Sequence, residues 1–263
     1  MKAQETFSAN VNLKTEPTDK IDFNESGISV VFNKKINPKN QIINTTEYSK
    51  LNINYDLDPF SELENLDRFN QFHNKTEYSF QAWDKTKLKF SLTPMFSFQQ
   101  HLDASDFTIL GSFEINQQLN SNTTISIGVA RSSIFGNPKF IPVTAINYNL
   151  SEKSTISVGF PDTKISYSNN IRNKFSLTNS FNGSFYNLDQ KSDSYFNASK
   201  MSLSQMTSAF EYERNVDGNW FMNFKAGYDF NKNYKLTDSE NHTMYNFNTS
   251  NGYILGIGIK YKQ

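Results

Sequence analysis

The sequence contains no cysteine, which excludes disulfide scaffolds, thiolate zinc sites and cysteine nucleophiles. It also has no apolar run that approaches the roughly 18 residues required by a membrane-spanning helix. Neither sign of charge is in excess, since 26 Lys and Arg residues face 26 Asp and Glu residues over 263 positions. A nucleic-acid-binding protein would carry a clustered basic excess, so we expect no nucleic-acid partner.

What the sequence does contain is an unusual share of aromatic residues for so hydrophilic a chain. Phe, Trp and Tyr make up 15% of it, yet its mean hydropathy is −0.62. A transmembrane β-barrel reconciles the two, because its strands alternate apolar residues that face lipid with polar residues that face the interior. We therefore predict an all-β protein, an antiparallel transmembrane β-barrel that occupies residues 1–263 as a single domain.

The clearest strand is predicted near the end of the chain, over residues 252–261, where two faces alternate strictly. The face that is predicted to point into a crowded or water-lined interior carries Gly252, Ile254, Gly256, Gly258 and Lys260. The face that is predicted to contact lipid carries Tyr253, Leu255, Ile257, Ile259 and Tyr261.

Period-two alternation continues through most of the chain, and short turns alternate with longer polar connections. The short turns are predicted to face the periplasm, and the longer loops at 58–70, 103–106, 188–200 and 231–250 to face the outside. Because both chain ends are expected in the periplasm, the number of strands must be even. Separate strands at 155–160 and 164–168, divided at Pro161, give about 14 strands, with 12 as the alternative.

Charged residues of both signs fall on the predicted interior face. They fit a polar conduit or solute pocket, and they equally fit an interior filled by salt-bridged side chains, so both interpretations stay open. Hairpin register predicts that Glu211 lies diagonal to Lys225, within reach across a strand pair. The predicted interior residues are Lys75, Glu77, Lys89, Glu114, Glu211, Lys225 and Asp229.

Catalytic and metal-binding motifs are missing from the sequence. The histidines His73, His101 and His242 stand in no spacing typical of a catalytic triad or a metal site, so we expect no enzyme, no cofactor and no metal. The acidic stretch 56–67 is predicted to be a solvated loop face, with a short helix that begins at Ser61. We attribute the Asn-x-Ser/Thr triplets to composition; they begin at Asn44, Asn74, Asn122, Asn182, Asn197, Asn241 and Asn248.

Several stretches resemble an uncharacterised family of bacterial outer-membrane β-barrel proteins, a domain of unknown function. They are Phe23–Asn33, Gly159–Tyr167, Phe181–Phe185 and the closing strand 252–261, and Gly-Phe-Pro-Asp at 159–162 is the most specific. The resemblance covers most of the chain. It implies the fold and the outer-membrane location, and it brings no activity with it.

The leading functional hypothesis is a non-catalytic subunit or scaffold that docks to other outer-membrane or periplasmic proteins. The alternative is a small-solute channel or transporter of the outer membrane. A third hypothesis is a soluble β-sandwich that binds glycans. In the first two cases the barrel contacts outer-membrane lipid, and we expect export through a cleaved signal peptide.

Overall fold

A computed structural model describes residues 4–55, 66–189 and 197–263, most of which are in β-strands. In these ranges there is no helix long and apolar enough to span a membrane. The short helix predicted at Ser61 and most of the acidic loop lie outside the described residues. The strands are β1 (Gln4–Glu16), β2 (Ile21–Asn37), β3 (Asn40–Tyr55), β4 (Arg68–Trp83), β5 (Thr86–Phe98), β6 (Phe107–Gln118), β7 (Thr123–Ser132), β8 (Lys139–Ser151), β9 (Ser154–Phe160), β10 (Asp162–Ser168), β11 (Asn173–Asn187), β12 (Lys200–Asp217), β13 (Trp220–Thr237), β14 (Thr243–Asn246) and β15 (Gly252–Lys262).

Within the described residues, fourteen of these strands form one closed antiparallel barrel. Each strand from β1 to β13 pairs with its neighbours in sequence, and β15 closes the ring by pairing with both β13 and β1. The short β14 pairs only with the end of β13. The predicted fold class and the number of 14 strands are confirmed, and the β-sandwich hypothesis is wrong, because the sheet is one closed cylinder and not two stacked layers.

The two ends of the barrel differ in their connections. Tight turns such as 38–39, 84–85 and 152–153 lie at one end, which we call the turn end, together with both chain ends. Most long connections lie at the opposite end, the loop end. This is the asymmetry of outer-membrane barrels, whose short turns face the periplasm. The loop predicted at 231–250 is shorter than expected, because β13 continues to Thr237 and is extended there by β14.

The outer face of the barrel is apolar along most strands. Exposed side chains on this face include Ile127 on β7 and Leu92 on β5, which are 60% and 57% exposed. A continuous exposed apolar belt of this kind is unfavourable in water and is what a bilayer requires. The strand predicted at 252–261 is β15, and its side chains on the outer face are Tyr253, Leu255, Ile257, Ile259 and Tyr261.

The wall is lower at the hairpin of β9 and β10, which have 7 residues each. The pairing of β8 with β9 stops at Thr144, and the pairing of β11 with β10 stops at Ser180. Residues 139–143 and 181–187 therefore rise above the hairpin and leave a gap between them, which we call the notch. The prediction of two separate strands divided at Pro161 is confirmed.

The segment 133–138, between β7 and β8, covers the notch. The Ser133 hydroxyl donates a hydrogen bond to the carbonyl oxygen of Gly183 at 3.2 Å. The ring of Phe135 packs against those of Phe160 and Phe181, with centroids 6.2 and 5.8 Å away. The segment therefore restores the apolar outer face where the hairpin is short.

We expect Gly183→Ala to dislodge this cover. A Cβ atom at Gly183 would lie 2.5 Å from the backbone oxygen of Ile134 and 2.6 Å from that of Ser133. Overpacking of this kind lowers the free energy of unfolding by about 1–3 kcal/mol. Urea unfolding in lipid vesicles measures the loss, and proteolysis within 133–138 should become faster.

Gly256→Ala is the matched control for that prediction. Its Cβ would lie 3.3 Å from the Cβ of Lys225, a contact that a small shift relieves. If the two alanine variants lose equal stability and resist protease equally, the segment does not depend on the close approach at Gly183.

The loop-end half of the interior is filled by an apolar core. The hydroxyls of Tyr55 on β3 and Tyr234 on β13 are 2.6 Å apart, and the rings of Phe69 on β4 and Tyr186 on β11 are 5.1 Å apart. These strands are not neighbours, so the contacts cross the inside of the barrel. The core consists of Ile21, Phe23, Leu51, Ile53, Leu66, Phe69, Tyr186, Leu188, Met201, Leu203, Tyr234, Leu236 and Phe247.

The mouth at the loop end is also bridged by backbone contacts. Phe98 at the end of β5 pairs in parallel with Asn187 at the end of β11, although these strands lie on opposite sides of the ring. The Asn187 side chain donates to the carbonyl oxygen of Ser105 at 2.8 Å, and the Asp189 amide donates to the Gln99 side chain at 3.0 Å. The barrel is therefore closed at this end by its wall as well as by its core.

Candidate functional site

The candidate site is the polar part of the interior, between the apolar core and the turn end. Strand register puts directly paired residues on the same face of the wall. Lys75, Glu77, Lys89 and Glu114 lie together on the inner face of β4, β5 and β6. The carboxylate of Glu77 is 3.3 Å from the Lys75 ammonium and 2.7 Å from that of Lys89. Glu114 extends the chain of charges at 3.7 Å from Lys89.

A second cluster of charged side chains lies on the inner face of strands β10 to β15 and faces the first cluster. Glu211 lies directly opposite Lys225 in the register of β12 and β13, so the predicted diagonal placement is wrong. The Glu211 carboxylate pairs instead with the Lys164 ammonium of β10 at 2.8 Å, reaching across β11. Lys260 binds Glu213 in the same way at 2.6 Å.

Lys164, Glu211 and Lys225 line a cavity of about 390 Å³ in the turn-end half of the barrel. The Lys164 side chain is 45% exposed, so water reaches the cavity. Its walls carry both signs of charge, and ion pairs join Lys14 to Glu25 and Lys164 to Glu211. The charged lining residues are Lys14, Glu25, Glu47, Lys164, Lys174, Glu211, Glu213 and Lys225.

A cavity of about 480 Å³ lies on the opposite wall, nearer the turns. Its lining includes Lys85, Lys87 and Lys89 beside the single carboxylate of Glu77. This side of the interior is therefore basic, whereas the cavity beside Glu211 has a mixed lining. Both cavities are of a size that admits small molecules rather than polymers.

A fully buried ionic layer separates the polar cavities from the apolar core. The Lys232 ammonium lies 2.7 Å from a Glu16 carboxylate oxygen and 3.4 Å from one of Asp229, and all three side chains are at most 1% exposed. Glu16 also accepts hydrogen bonds from Gln205 and pairs with Lys14 at 2.9 Å. Asp229, predicted as an interior residue, lies on the inner face but belongs to this buried layer and lines neither cavity.

The ionic layer and the apolar core are in direct contact. The Lys232 ammonium lies 4.7 Å from the centroid of the Phe23 ring, and that ring packs edge-on against Tyr234 at 5.3 Å. From the turn end inwards, the interior holds first solvent-accessible charged side chains, then the buried ion pairs and then the apolar core.

Lys14, Glu16, Lys164 and Lys232 are interior residues that the sequence prediction missed. Lys14 and Glu16 share the alternation of β1, which is a usable signal. Lys232 offers no such signal, because β12 and β13 shift register between Ser204 and Met206. The shift reverses the parity of β13, so that even-numbered residues point inward beyond it.

Each of the three histidines lies beside a carboxylate. Among the described residues, the His73 ring lies 3.7 Å from the Glu47 carboxylate, and the His101 ring lies 2.7 Å from that of Asp189. None of these residues contacts a serine hydroxyl in that part of the chain. Nor do three His, Asp or Glu side chains converge there on a point where a metal ion would bind.

His242 pairs with Asp238 in the loop between β13 and β14. Its ring nitrogen lies 3.0 Å from one carboxylate oxygen, and its backbone N–H donates to the other at 2.8 Å. That backbone hydrogen bond is the main reason why the pKa of Asp238 lies below its usual range. Both residues are in the same exposed loop, so their contacts stabilise the turn of that loop.

The closed barrel, its apolar outer face and its charged interior define an outer-membrane β-barrel protein. The chain belongs to the family described as Domain of unknown function (DUF6268), whose model matches residues 4–262. The family resemblance is therefore confirmed. Among curated proteins, none matches the chain.

Solved structures show the same fold at very low sequence identity. The COG4313 outer membrane channel from Pseudomonas putida F1 is 5% identical and has a TM-score of 0.56, covering 98% of this chain and 95% of that chain. The TodX monoaromatic hydrocarbon channel, in a deltaS2 mutant, is 8% identical and has a TM-score of 0.52, covering 99% and 90%. Both are channels by name, and at such identity the likeness concerns the fold alone.

Proposed function

We propose that this protein is an outer-membrane channel for small polar solutes, with the apolar core at the loop end as its closed gate. One observation carries the proposal: a water-accessible cavity of about 390 Å³ is lined by both signs of charge, and Lys14 of its lining pairs with Glu16 of the buried layer. A barrel whose only task is to hold partners has no need of a solvated, charge-lined interior. The two similar solved structures are named as channels, which favours this proposal over the scaffold.

The lining indicates the class of solute. Lys164, Lys174 and Lys225 line the cavity together with Glu25 and Glu211, so the field inside changes sign over short distances. A strongly anionic or cationic solute would be repelled by part of the wall. A zwitterion or an uncharged polar molecule finds donors and acceptors on every side, and we propose solutes of this class.

Planar-bilayer recording tests the gate. We expect wild-type protein to show rare openings, and the double variant Phe69→Ala/Met201→Ala to show frequent single-channel steps. Both side chains are fully buried in the core, so truncating them opens space where the interior is now filled. The measurement is the open probability at fixed voltage.

Phe72→Ala/Phe210→Ala is the matched control. These side chains lie on the outer face of the same strands, where they are 41% and 51% exposed, so their loss leaves the interior unchanged. If the core variant is folded but shows no more openings than the control, the protein is not a channel gated by this core. The scaffold hypothesis would then be preferred.

We also infer that the function is non-catalytic, because the rings of His101 and His242 pair with the carboxylates of Asp189 and Asp238 and not with a hydroxyl group in the described part of the chain. Export is through a cleaved signal peptide, as the fold requires a route across the inner membrane. N-terminal sequencing of the protein purified from outer membranes checks this cleavage.

A further inference from the structure

The outer face of β3 and β4 carries polar side chains, whereas the outer face of most strands is apolar. Asn44 lies directly opposite Thr76, and Thr46 lies directly opposite Asn74. All four share the outward face with Tyr48 and Phe72, the next pair in the ladder, which are each 41% exposed. We call Asn44, Thr46, Asn74 and Thr76 the polar stripe.

The polar stripe sits in the middle of the apolar belt and not at its edge. In the row of Asn44 and Thr76, the flanking strands present Phe32 and Leu92, which are 55% and 57% exposed. Towards the loop end the next row holds Tyr48 and Phe72, and towards the turn end it holds Ile42 and Tyr78. Apolar or aromatic side chains therefore surround the stripe on every side.

The four side chains are hydrogen-bonded to one another. The amides of Asn44 and Asn74 bind reciprocally, with N···O distances of 2.9 and 3.2 Å. Asn44 also donates to the Thr76 hydroxyl at 2.9 Å, and Asn74 donates to the Thr46 hydroxyl at 2.7 Å. Both amides thus use their N–H groups within the stripe.

The hydroxyl hydrogens of Thr46 and Thr76 are not donated to any group within the stripe. Thr46 and Thr76 act as acceptors in these bonds, and in the described part of the chain neither hydroxyl has an acceptor of its own. The carboxamide oxygens of Asn44 and Asn74 each have room for a second donor. A bilayer core offers no partner for such groups, so leaving them to face lipid is unfavourable.

We propose that the polar stripe is the centre of a symmetric contact with a second copy of this chain in the membrane. A two-fold axis parallel to the barrel axis, passing in front of the seam between β3 and β4, lays the stripe of one copy over the stripe of the other. Because barrel strands are tilted by about 40° from that axis, the two β3–β4 ribbons cross, and the four side chains of one copy cover those of the second copy. The spare hydroxyl hydrogens of Thr46 and Thr76 then come within reach of hydroxyl and carboxamide oxygens of the second copy.

The chemistry of the stripe favours a second copy over a different protein. The four side chains carry no charge, so two identical surfaces do not repel each other, and each group can both donate and accept. Small and polar residues at the contact also allow close approach and hydrogen bonding between membrane proteins, where burial of apolar area gives no driving force. The proposal stands apart from the channel proposal, since no stripe residue reaches the interior.

Only one similar pair appears elsewhere on the outer face of the described strands at this depth. Asn179 on β11 donates to the Ser208 hydroxyl on β12 at 3.0 Å. This pair lacks the reciprocal amide arrangement and lies beside the notch. It is therefore a fair comparison site, with one amide and one hydroxyl and no proposed contact.

Cross-linking from single cysteines tests the proposal, because the chain has no cysteine of its own. The two copies of residue 76 should lie about one face-to-face sheet packing distance apart, roughly 10 Å. We expect Thr76→Cys in native outer membranes, treated with a bismaleimide of that length, to give a product at twice the mass of the chain. Ile127→Cys on β7 and Ser208→Cys on β12, both on the outer face, should give little of it.

A second measurement does not depend on the cross-linker. In lipid nanodiscs large enough for two barrels, wild-type protein should be dimeric, and Asn74→Leu/Thr76→Val should be mostly monomeric. The variant places apolar groups against lipid, so the barrel itself should fold at least as well. A monomeric wild type, equal cross-linking from all three cysteines, or a product containing a different protein would each overturn the proposal.

Discussion

Ile257→Lys should destabilise the barrel by about 2–4 kcal/mol, the cost of a lysine at the bilayer midplane of an outer-membrane barrel. Ile257 lies on the outer face of β15, is 44% exposed, and pairs with Leu13 on one side and Phe224 on the other. A lysine there has no nearby carboxylate and must reach for the interface through apolar neighbours. Equilibrium urea unfolding in phospholipid vesicles measures the loss.

Asn223→Lys is the matched control on the neighbouring strand. Asn223 points inward, lines the mixed-charge cavity and lies directly opposite Glu213, so a lysine there is solvated and gains a partner. We expect its effect to stay below about 1 kcal/mol, and Gly256→Ala to be similarly mild. If Asn223→Lys proves more damaging than Ile257→Lys, the inner and outer faces are assigned the wrong way round.

Lys232→Met should lower the free energy of unfolding by about 3–5 kcal/mol, the usual cost of removing one partner from a buried ion pair. Its ammonium is 2.7 Å from Glu16 and 3.4 Å from Asp229, with no exposure to water. Glu16 keeps Lys14 at 2.9 Å, but Asp229 loses its nearest cation. The same urea titration measures the effect.

Lys225→Met is the control that shows whether the effect of Lys232→Met comes from burial of the ion pair or from loss of a charge alone. Lys225 stands on the same strand and the same inner face, but it lines the solvated cavity. Its loss should cost at most about 1 kcal/mol. The triple variant Glu16→Gln/Asp229→Asn/Lys232→Met should recover part of the stability lost by Lys232→Met. Equal losses for Lys225→Met and Lys232→Met would show that the ionic layer is not buried.

The outer wall was predictable because alternation is a local property. On β15, a period of two assigns Ile257 and Gly256 to opposite faces without any knowledge of the partner strands. The break at Pro161 was predictable for a similar reason, since proline lacks the donor that a continuous ladder needs.

The apolar core was not predictable from alternation. On β2, Ile21 and Phe23 have the inward parity while Ile28 and Phe32 have the outward one, so both faces look apolar in different halves of the strand. Which apolar half meets lipid and which meets the core depends on depth and on strands far away in sequence. The contact of Phe23 with Tyr234 joins two such strands that are far apart in sequence.

The polar stripe depends on strand pairing as well as on local sequence. The sequence alone offers no explanation beyond composition for the Asn-x-Ser/Thr triplets at Asn44 and Asn74. Because residues two apart share one face of a strand, each triplet places its Asn beside its own Thr, and strand register joins the two pairs. Only the pairing of β3 with β4 brings these side chains within hydrogen-bond distance.

Lipid and water access along β13 tests the central claim most directly. Single cysteines at residues 222–226 of the cysteine-free chain, each carrying a small fluorophore, report quenching by brominated acyl chains and by aqueous iodide. We expect brominated lipid to quench at Met222, Phe224 and Ala226, and iodide to quench at Asn223 and Lys225. Quenching that does not alternate, or that alternates in the opposite phase, would contradict a barrel with its apolar face towards lipid and its charges enclosed.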